Sequence, residues 1–217
     1  MIPTKRGSMP LLRIVVLAAG FSTRLGQPKA LARIRGLPLL HRTVRTLLPF
    51  RGRHPIILVV PSRAARYRAA APGHPVTFLA NPQRASGLAG SVRLGVNRAR
   101  WSAAILLLPA DLVDLEPRDI KRLIARWRGA RRKVAARRVE GHAGAPLIVP
   151  RWLYPRALAI AGDTGLRSLV RGLPRHAVSL TLLPSAAADV DTPEDLARAR
   201  RRVRARPGGK PGTAPTS

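Results

Sequence analysis

Short apolar runs rich in β-branched residues recur along the chain, and each gives way to a stretch whose apolar positions fall at helical spacing. Strands are predicted at Arg13–Ala19, Pro55–Val60, Val76–Ala80, Ala103–Pro109, Lys133–Val139, Pro146–Val149 and Ala177–Leu183. Between them, helices are predicted at Leu37–Leu48, Ser62–Ala70, Gly87–Arg98, Glu116–Arg128, Thr164–Arg171 and Thr192–Arg204. Thr192-Pro193-Glu194-Asp195 is a strong helix start: a hydroxyl N-cap, proline at the first helical position and carboxylates in the first turn. Strands alternating with helices imply βαβ units, hence a single α/β domain with a mostly parallel central sheet flanked by helices. No repeat of fixed period and no heptad pattern interrupts this reading.

Composition narrows the class. With 217 residues, 46% of them hydrophobic, the chain can bury a full core in one domain. That domain is expected over residues 10–205, because 1–9 and 206–217 are rich in Pro, Gly, Ser and Thr and read as flexible ends. The absence of cysteine excludes disulfides, thiolate metal sites and a Cys nucleophile. The five histidines have no zinc-ligand spacing. No apolar run reaches the ~18–20 residues of a membrane span. Lys5 and Arg6 ahead of "LLRIVVLAAG" imitate a secretion signal, but Arg13 interrupts the apolar stretch, so a cytoplasmic first strand is expected. The net charge of +30 favours anionic partners, although it does not say which.

The chemistry concentrates where strands end. In a parallel α/β sheet, ligands bind beyond the carboxyl ends of the strands. There the first strand empties into "LAAGFSTRLGQPKAL", residues 17–31. Gly20 and Gly26 let backbone approach an anion, Ser22 and Thr23 can donate to phosphate oxygens, and Arg24 and Lys29 supply charge. The spacing matches neither the Walker A nor the dinucleotide fingerprint. Asp111 follows the apolar run "AAILLLPA" and should project into the same crevice. A carboxylate beside a phosphate loop is what Mg²⁺ requires. Asp114, Glu116 and Asp119 read as an acidic helix start. Asp189 and Asp191, two apart in "ADVDTPEDL", point the same way if extended, and one of them could share the metal or cap the following helix. A second glycine-rich stretch, "NPQRASGLAGSVRLG", begins at Asn81 and offers Gly87, Gly90 and Ser91 as a surface for a nucleobase.

Taken together, "LAAGFSTRLGQPKAL", "NPQRASGLAGSVRLGV", "LLLPADL", "GAPLIV", "GDTGLRSL" and "DVDTPEDL" resemble the MobA-like nucleotidyltransferase superfamily, nearest its molybdenum cofactor cytidylyltransferase branch. The resemblance runs in order from about Arg13 to Ala199. It implies a single Rossmann-like domain of the GT-A nucleotidyltransferase type. It also implies a nucleotide-binding loop through Leu17, Ala18, Ala19, Gly20, Ser22, Thr23, Arg24, Gly26 and Lys29, and a nucleotide pocket lined at Asn81, Gly87 and Ser91. Asp111 falls on the family's Mg²⁺ ligand, Asp191 on the metal side, and Asp163 and Gly165 of "GDTG" on the acceptor side. "LAAG" rather than "LAGG" is similar to the branch that uses CTP. The sequence departs from the family with Leu25 where Met is usual, with "LVD" after Asp111 where a Pro is common, and with Ala145 where this branch commonly carries His.

The reaction this implies is attack of an acceptor phosphate on the α-phosphorus of the triphosphate, with release of pyrophosphate. Lys29, Arg24 and Asp111 would be the catalytic groups. Molybdopterin is the expected acceptor, and a molybdenum hydroxylase would receive the product. A nucleotidyltransferase for a sugar phosphate or another phosphorylated metabolite stays open, as does a nucleotide-binding protein without turnover. A basic nucleic-acid-binding protein is the remaining alternative, suggested by "RWRGARRKVAARR" and by the arginines from Arg198 to Arg206. Those runs hold one aromatic, Trp127, so they read as solvated surface; nucleic acid and membrane are not the expected partners.

Overall fold

The computed structural model describes residues 12–20, 25–82, 87–162, 166–185, 190 and 192–205. The expected flexible ends lie outside these residues. The order along the chain is β1 (Leu12–Leu17), β2 (Arg33–Ile34), β3 (Leu37–Pro38), α1 (Leu39–Leu47), β4 (Ile56–Pro61), α2 (Ala65–Ala69), β5 (Thr77–Asn81) and α3 (Gly87–Ala99). It continues with β6 (Ala104–Pro109), α4 (Pro117–Gly129), β7 (Val134–Val139), β8 (His142–Pro150), α5 (Tyr154–Ala159), β9 (Val178–Thr181) and α6 (Pro193–Ala205).

Seven strands form one sheet in the order β5-β4-β1-β6-β8-β7-β9, and β2 and β3 form a separate hairpin. The pairs β5/β4, β4/β1, β1/β6 and β7/β9 are parallel, while β8 runs antiparallel to both β6 and β7. The sheet is mostly parallel, as expected. Its register sets Leu17 opposite Val59 on one side and Pro109 on the other, so β1, β4 and β6 end at one level. We call that end the carboxyl pole.

Alternation along β1 divides the interior. Leu12, Ile14 and Val16 face a core shared with α1 and α4, whereas Val15 and Leu17 face one shared with α3 and α5. α3 approaches β1 closely at Gly95, where an added Cβ would stand 2.5 Å from Val15 Cγ1. A third cluster joins α6 to the hairpin and to Leu25 and Val113 beside the carboxyl pole. α4 begins with a reciprocal cap, Glu116 accepting from the backbone of Asp119 and Asp119 accepting from that of Glu116, as its acidic start predicts. No helix among the described residues is long and apolar enough to cross a membrane.

The differences from the sequence reading have local causes. The strand expected at Pro146–Val149 is the buried end of the longer β8, which starts at His142. It reverses direction because Glu140 and Gly141, with φ of 48° and 80°, form a two-residue turn of the kind that matches strand twist. Of the helix expected at Thr164–Arg171, the described part is a 3-10 turn at Leu166–Leu169. The hairpin and α5 are too short for periodicity to reveal.

Candidate active site

Two strand exits and one turn bring the site together. At the end of β1, Ala18 N donates to Val59 O (2.8 Å), which carries the parallel ladder one residue past the strand. Ala110, just past β6, does the same, its N–H donating to Leu17 O (3.1 Å). The Ala110 carbonyl accepts from the Thr43 hydroxyl on α1 (3.1 Å), which also reaches Leu39 O. With both backbone polar groups of Ala110 held, the direction in which Asp111 leaves the strand is set. One turn later, the Thr46 hydroxyl holds Leu115 O (3.1 Å). Between these clamps Leu112 and Val113 enter different apolar clusters. That is the path the "LVD" segment takes.

Lys29 arrives from the other side. It opens a short 3-10 turn, Lys29–Leu31, whose Ala30 is buried in the core beneath α1. Its ammonium lies 3.4 Å from Asp111 Oδ2, a pair separated by 82 positions in sequence. Asp111 is 9% exposed, so this carboxylate is largely withdrawn from water and the cation beside it offsets part of the cost of its charge. At the exit of β1, an added Cβ on Gly20 would meet nothing within 4 Å among the described residues. Gly26 adopts φ 67°, a left-handed conformation suited to glycine.

The second glycine-rich stretch sits at the end of β5. Asn81 Nδ2 donates to Ser91 Oγ (3.1 Å), and Ser62 donates to Asn81 O (3.1 Å). Asn81 and Ser91 are both buried, so they brace α3 against β5. Gly87, at φ 65°, starts α3 with its N-terminus at the carboxyl pole, where the helix dipole favours an anion. Leu17, Ala18 and Ala19 are buried under the crevice. Ser22, Thr23, Arg24, Asp163, Gly165, Asp189 and Asp191 lie outside the described residues. Asp114 is buried and 3.6 Å from Arg202 on α6, so it ties that helix to the site rather than only opening α4. At Thr192, the side chain accepts from Asp195 N (3.2 Å) and Asp195 Oδ2 accepts from Thr192 N (3.1 Å), a reciprocal cap. Sequence reasoning missed Thr43 and Thr46; in a helix, a hydroxyl two residues past a histidine gives no signal of its tertiary partner.

The geometry suits a divalent cation. Among the described residues no three His, Asp or Glu side chains form a cage. Mg²⁺, however, is usually held by one or two carboxylates together with substrate phosphates, and a hard carboxylate at the crevice floor provides that. A cleft of about 920 Å³ runs from the β7–β8 turn to residues 167–175 and the start of β9, with His142, Arg167, Arg171 and Arg175 around Val178 and Leu180.

A MobA-like NTP transferase domain matches residues 14–178, from β1 through the start of β9. The chain belongs to the MobA-like NTP transferase family. Among curated family relatives, the chain is 30% identical over 196 residues to a probable molybdenum cofactor guanylyltransferase of Rhodopirellula baltica, covering 86% of this chain and 90% of that one. It is 34% identical over 152 residues to a phosphoenolpyruvate guanylyltransferase of Conexibacter woesei, covering 64% of this chain but only 63% of that protein. In structure it resembles Rv0371c of Mycobacterium tuberculosis H37Rv, with a TM-score of 0.73 and 27% identity over 90% of this chain and all of that one. A complex of Rv0371c with manganese superimposes with a TM-score of 0.69 at 26% identity, over 88% of this chain and 98% of that one.

Proposed function

We propose that the chain transfers a nucleoside monophosphate, CMP from CTP in the first instance, to a phosphorylated acceptor such as molybdopterin. The observation that carries this reading is the Lys29–Asp111 pair at the carboxyl pole, where β1 and β6 end side by side. Residues 10–205 act as one catalytic domain, with a cytoplasmic setting. An oxygen of the acceptor phosphate attacks the α-phosphorus in line, the bond from α-phosphorus to the bridging oxygen breaks, and pyrophosphate leaves. The attacking oxygen is already anionic, so no strong general base is needed.

The residues of the chain act by position and charge. Backbone at Gly20 and Gly26 admits the triphosphate, with Ser22 and Thr23 as further donors. Lys29 and Arg24 neutralise charge developing on the phosphates. Asp111, with Asp191, would hold a divalent cation, Mg²⁺, which when bound supplies charge neutralisation at the phosphate oxygens. A manganese complex of Rv0371c supports a divalent metal. Thr43 keeps Asp111 aimed by holding Ala110. Asn81, Gly87 and Ser91 shape the wall nearest the base, and Asp163 and Gly165 approach the acceptor. The arginine-lined cleft favours an acceptor of negative charge. If the acceptor is molybdopterin, the product passes to a molybdenum hydroxylase.

GTP is the second donor reading, because the curated relatives above are named guanylyltransferases; "LAAG" at residues 17–20 favours CTP. The phosphoenolpyruvate enzyme likewise makes a small phosphorylated carboxylate the second acceptor reading. Calorimetry with CTP, GTP, ATP and UTP, with and without Mg²⁺ and at low and high salt, decides the donor; pyrophosphate release with molybdopterin against phosphoenolpyruvate decides the acceptor. Selective, Mg²⁺-dependent CTP binding is expected. Binding without base preference that falls only with salt would overturn the proposal.

A further inference from the structure

The carboxylates of this chain are confined to one part of the fold, while the cations spread over all of it. All ten carboxylates follow residue 110 in the sequence. Those described lie in the 111–119 segment, the β7–β8 turn and the first turn of α6, all at the carboxyl pole. The opposite, amino pole is built from the start of β1, the connection from α3 to β6, the connection from α4 to β7, and the end of β8. The register brings these together, with Leu12 beside Ala104 and Ala104 beside Pro150. Arg98, Arg100, Arg131, Arg132, Lys133 and Arg151 are exposed there, and no described carboxylate accompanies them.

Two of the three tryptophans also emerge at this pole. Trp101 is 56% exposed and Trp152 is 47% exposed. One exposed apolar side chain is ordinary, but two indoles exposed at the same pole on hydrogen-bonded connections are not a loose loop's chance exposure. The Tyr154 hydroxyl donates to Ser102 O (3.1 Å) and lies 3.3 Å from Ser102 Oγ, while Ser102 Oγ donates to Ala99 O (2.7 Å), all of it buried. Burial pushes the Tyr154 phenol up to about 12, so it stays a protonated donor. Arg151 N donates to Ala103 O (3.0 Å), and the Trp152 indole N–H donates to Arg132 O (2.8 Å). The connections carrying the two indoles are therefore stapled to each other and to the 130–133 turn. The Arg100 guanidinium stands 5.1 Å from the centre of the Trp101 ring.

Exposed indoles on bonded connections, Trp101 with the Arg100 guanidinium over one face, match the chemistry of unpaired bases on a phosphodiester backbone: bases stack on the rings and phosphates meet the cations. We propose that the amino pole binds single-stranded nucleic acid, with Trp101 and Trp152 as stacking platforms and the surrounding arginines and Lys133 on the phosphates. The fold supplies what the run Arg126–Arg138 lacks in sequence. Trp127 within that run is buried, and the stacking faces come from two distant segments. An anionic lipid surface fits less well. The other large hydrophobic side chains exposed among the described residues, Leu158 in α5 and Leu182 after β9, lie outside the connections that form this pole. This site is independent of the nucleotidyl-transfer reading.

The test uses the full chain and a fluorescent oligothymidylate and oligouridylate of about twelve nucleotides, within the range typical of single-strand binders. Binding is expected to quench tryptophan emission and to weaken with salt. The double variant Trp101→Ala/Trp152→Ala should bind at least about tenfold more weakly, while Trp101→Tyr/Trp152→Tyr recovers much of the loss. Both double variants lose the indole bond to Arg132 O, so each should melt a few degrees lower, while nucleotide binding should be unchanged in both, which separates lost stacking from unfolding. Equal binding by wild type and the alanine variant would overturn the proposal. So would an equal loss from Arg66→Ala/Arg201→Ala, which removes exposed charge from α2 and α6. A tryptophan response to phosphatidylglycerol vesicles, with none to either oligonucleotide, would overturn it in favour of a membrane surface.

Discussion

The two ends of the central sheet are built from the same strands and differ in almost every other respect. The carboxyl pole gathers the described carboxylates, open glycine backbone at Gly20 and a lysine matched to Asp111. The amino pole has tight, mutually bonded connections, arginines and two exposed indoles. Parallel topology explains the division: strand exits on one side leave loops free to carry chemistry, and the other side holds the returns from helices. Charge follows function here, because scarce carboxylates sit where a metal and a triphosphate would need them.

The contrast is most severely tested at Lys29. Lys29→Ala should lower the rate of pyrophosphate release about 10²–10³-fold, the usual effect of losing one preorganised charge at a reacting phosphate. Stability should fall as well, by about 1–3 kcal/mol, because the largely buried Asp111 carboxylate loses the cation that offset its charge. A pair of glycines sharpens the point next. Gly95→Ala drives a methyl group into Val15 and should destabilise the fold by about 1–3 kcal/mol, read as a fall of several degrees in melting temperature. Gly20→Ala meets no atom of the described residues within 4 Å, so it should leave the melting temperature unchanged and weaken nucleotide binding in calorimetry. Thr43→Val comes next. It removes the donor to Ala110 O and should cost about 1–3 kcal/mol, lowering kcat more than it raises KM, because Asp111 loses its aim.

The smallest effect is that of pH. Burial first, then neighbouring cations, hold His41, His54 and His74 below the ordinary 6.5: His74, Arg45 and Arg42 act on His41, Arg128 and Arg53 on His54, and Arg45 and Arg51 on His74. As pH falls through 6.5 the unfolded chain takes up protons that the folded one refuses, so stability declines on the acid side and is unaffected above it. Thermal melts across this range should show that slope, and His41→Gln/His74→Gln should flatten it.

Much of this was legible in sequence because the patterns involved are local. The six-residue buried strands, the Thr192 cap and the acidic start of α4 depend on neighbours in the chain, and each falls within a few residues of its expected place. β8 was only partly legible. Its first half, "HAGA", has few of the bulky residues that mark strands, and its reversal rests on two positive φ angles at Glu140 and Gly141. In the site, Asp111 and Lys29 could each be nominated from a motif, but their 3.4 Å contact, the bracing of Asn81 by Ser91 and the hold of Thr43 on Ala110 are tertiary. Helical spacing explains Thr43 as part of α1 and says nothing about what its hydroxyl reaches. The two indoles of the amino pole were hidden for the same reason.

The most direct measurement is a calorimetric titration of CTP into wild-type and Asp111→Asn protein, each with and without Mg²⁺. The account predicts that Mg²⁺ tightens binding to the wild type and that this gain is lost in the variant, with the fold intact by circular dichroism. A variant that binds CTP with the same Mg²⁺ dependence as the wild type would contradict the assignment of the carboxyl pole as a metal-assisted nucleotidyl-transfer site.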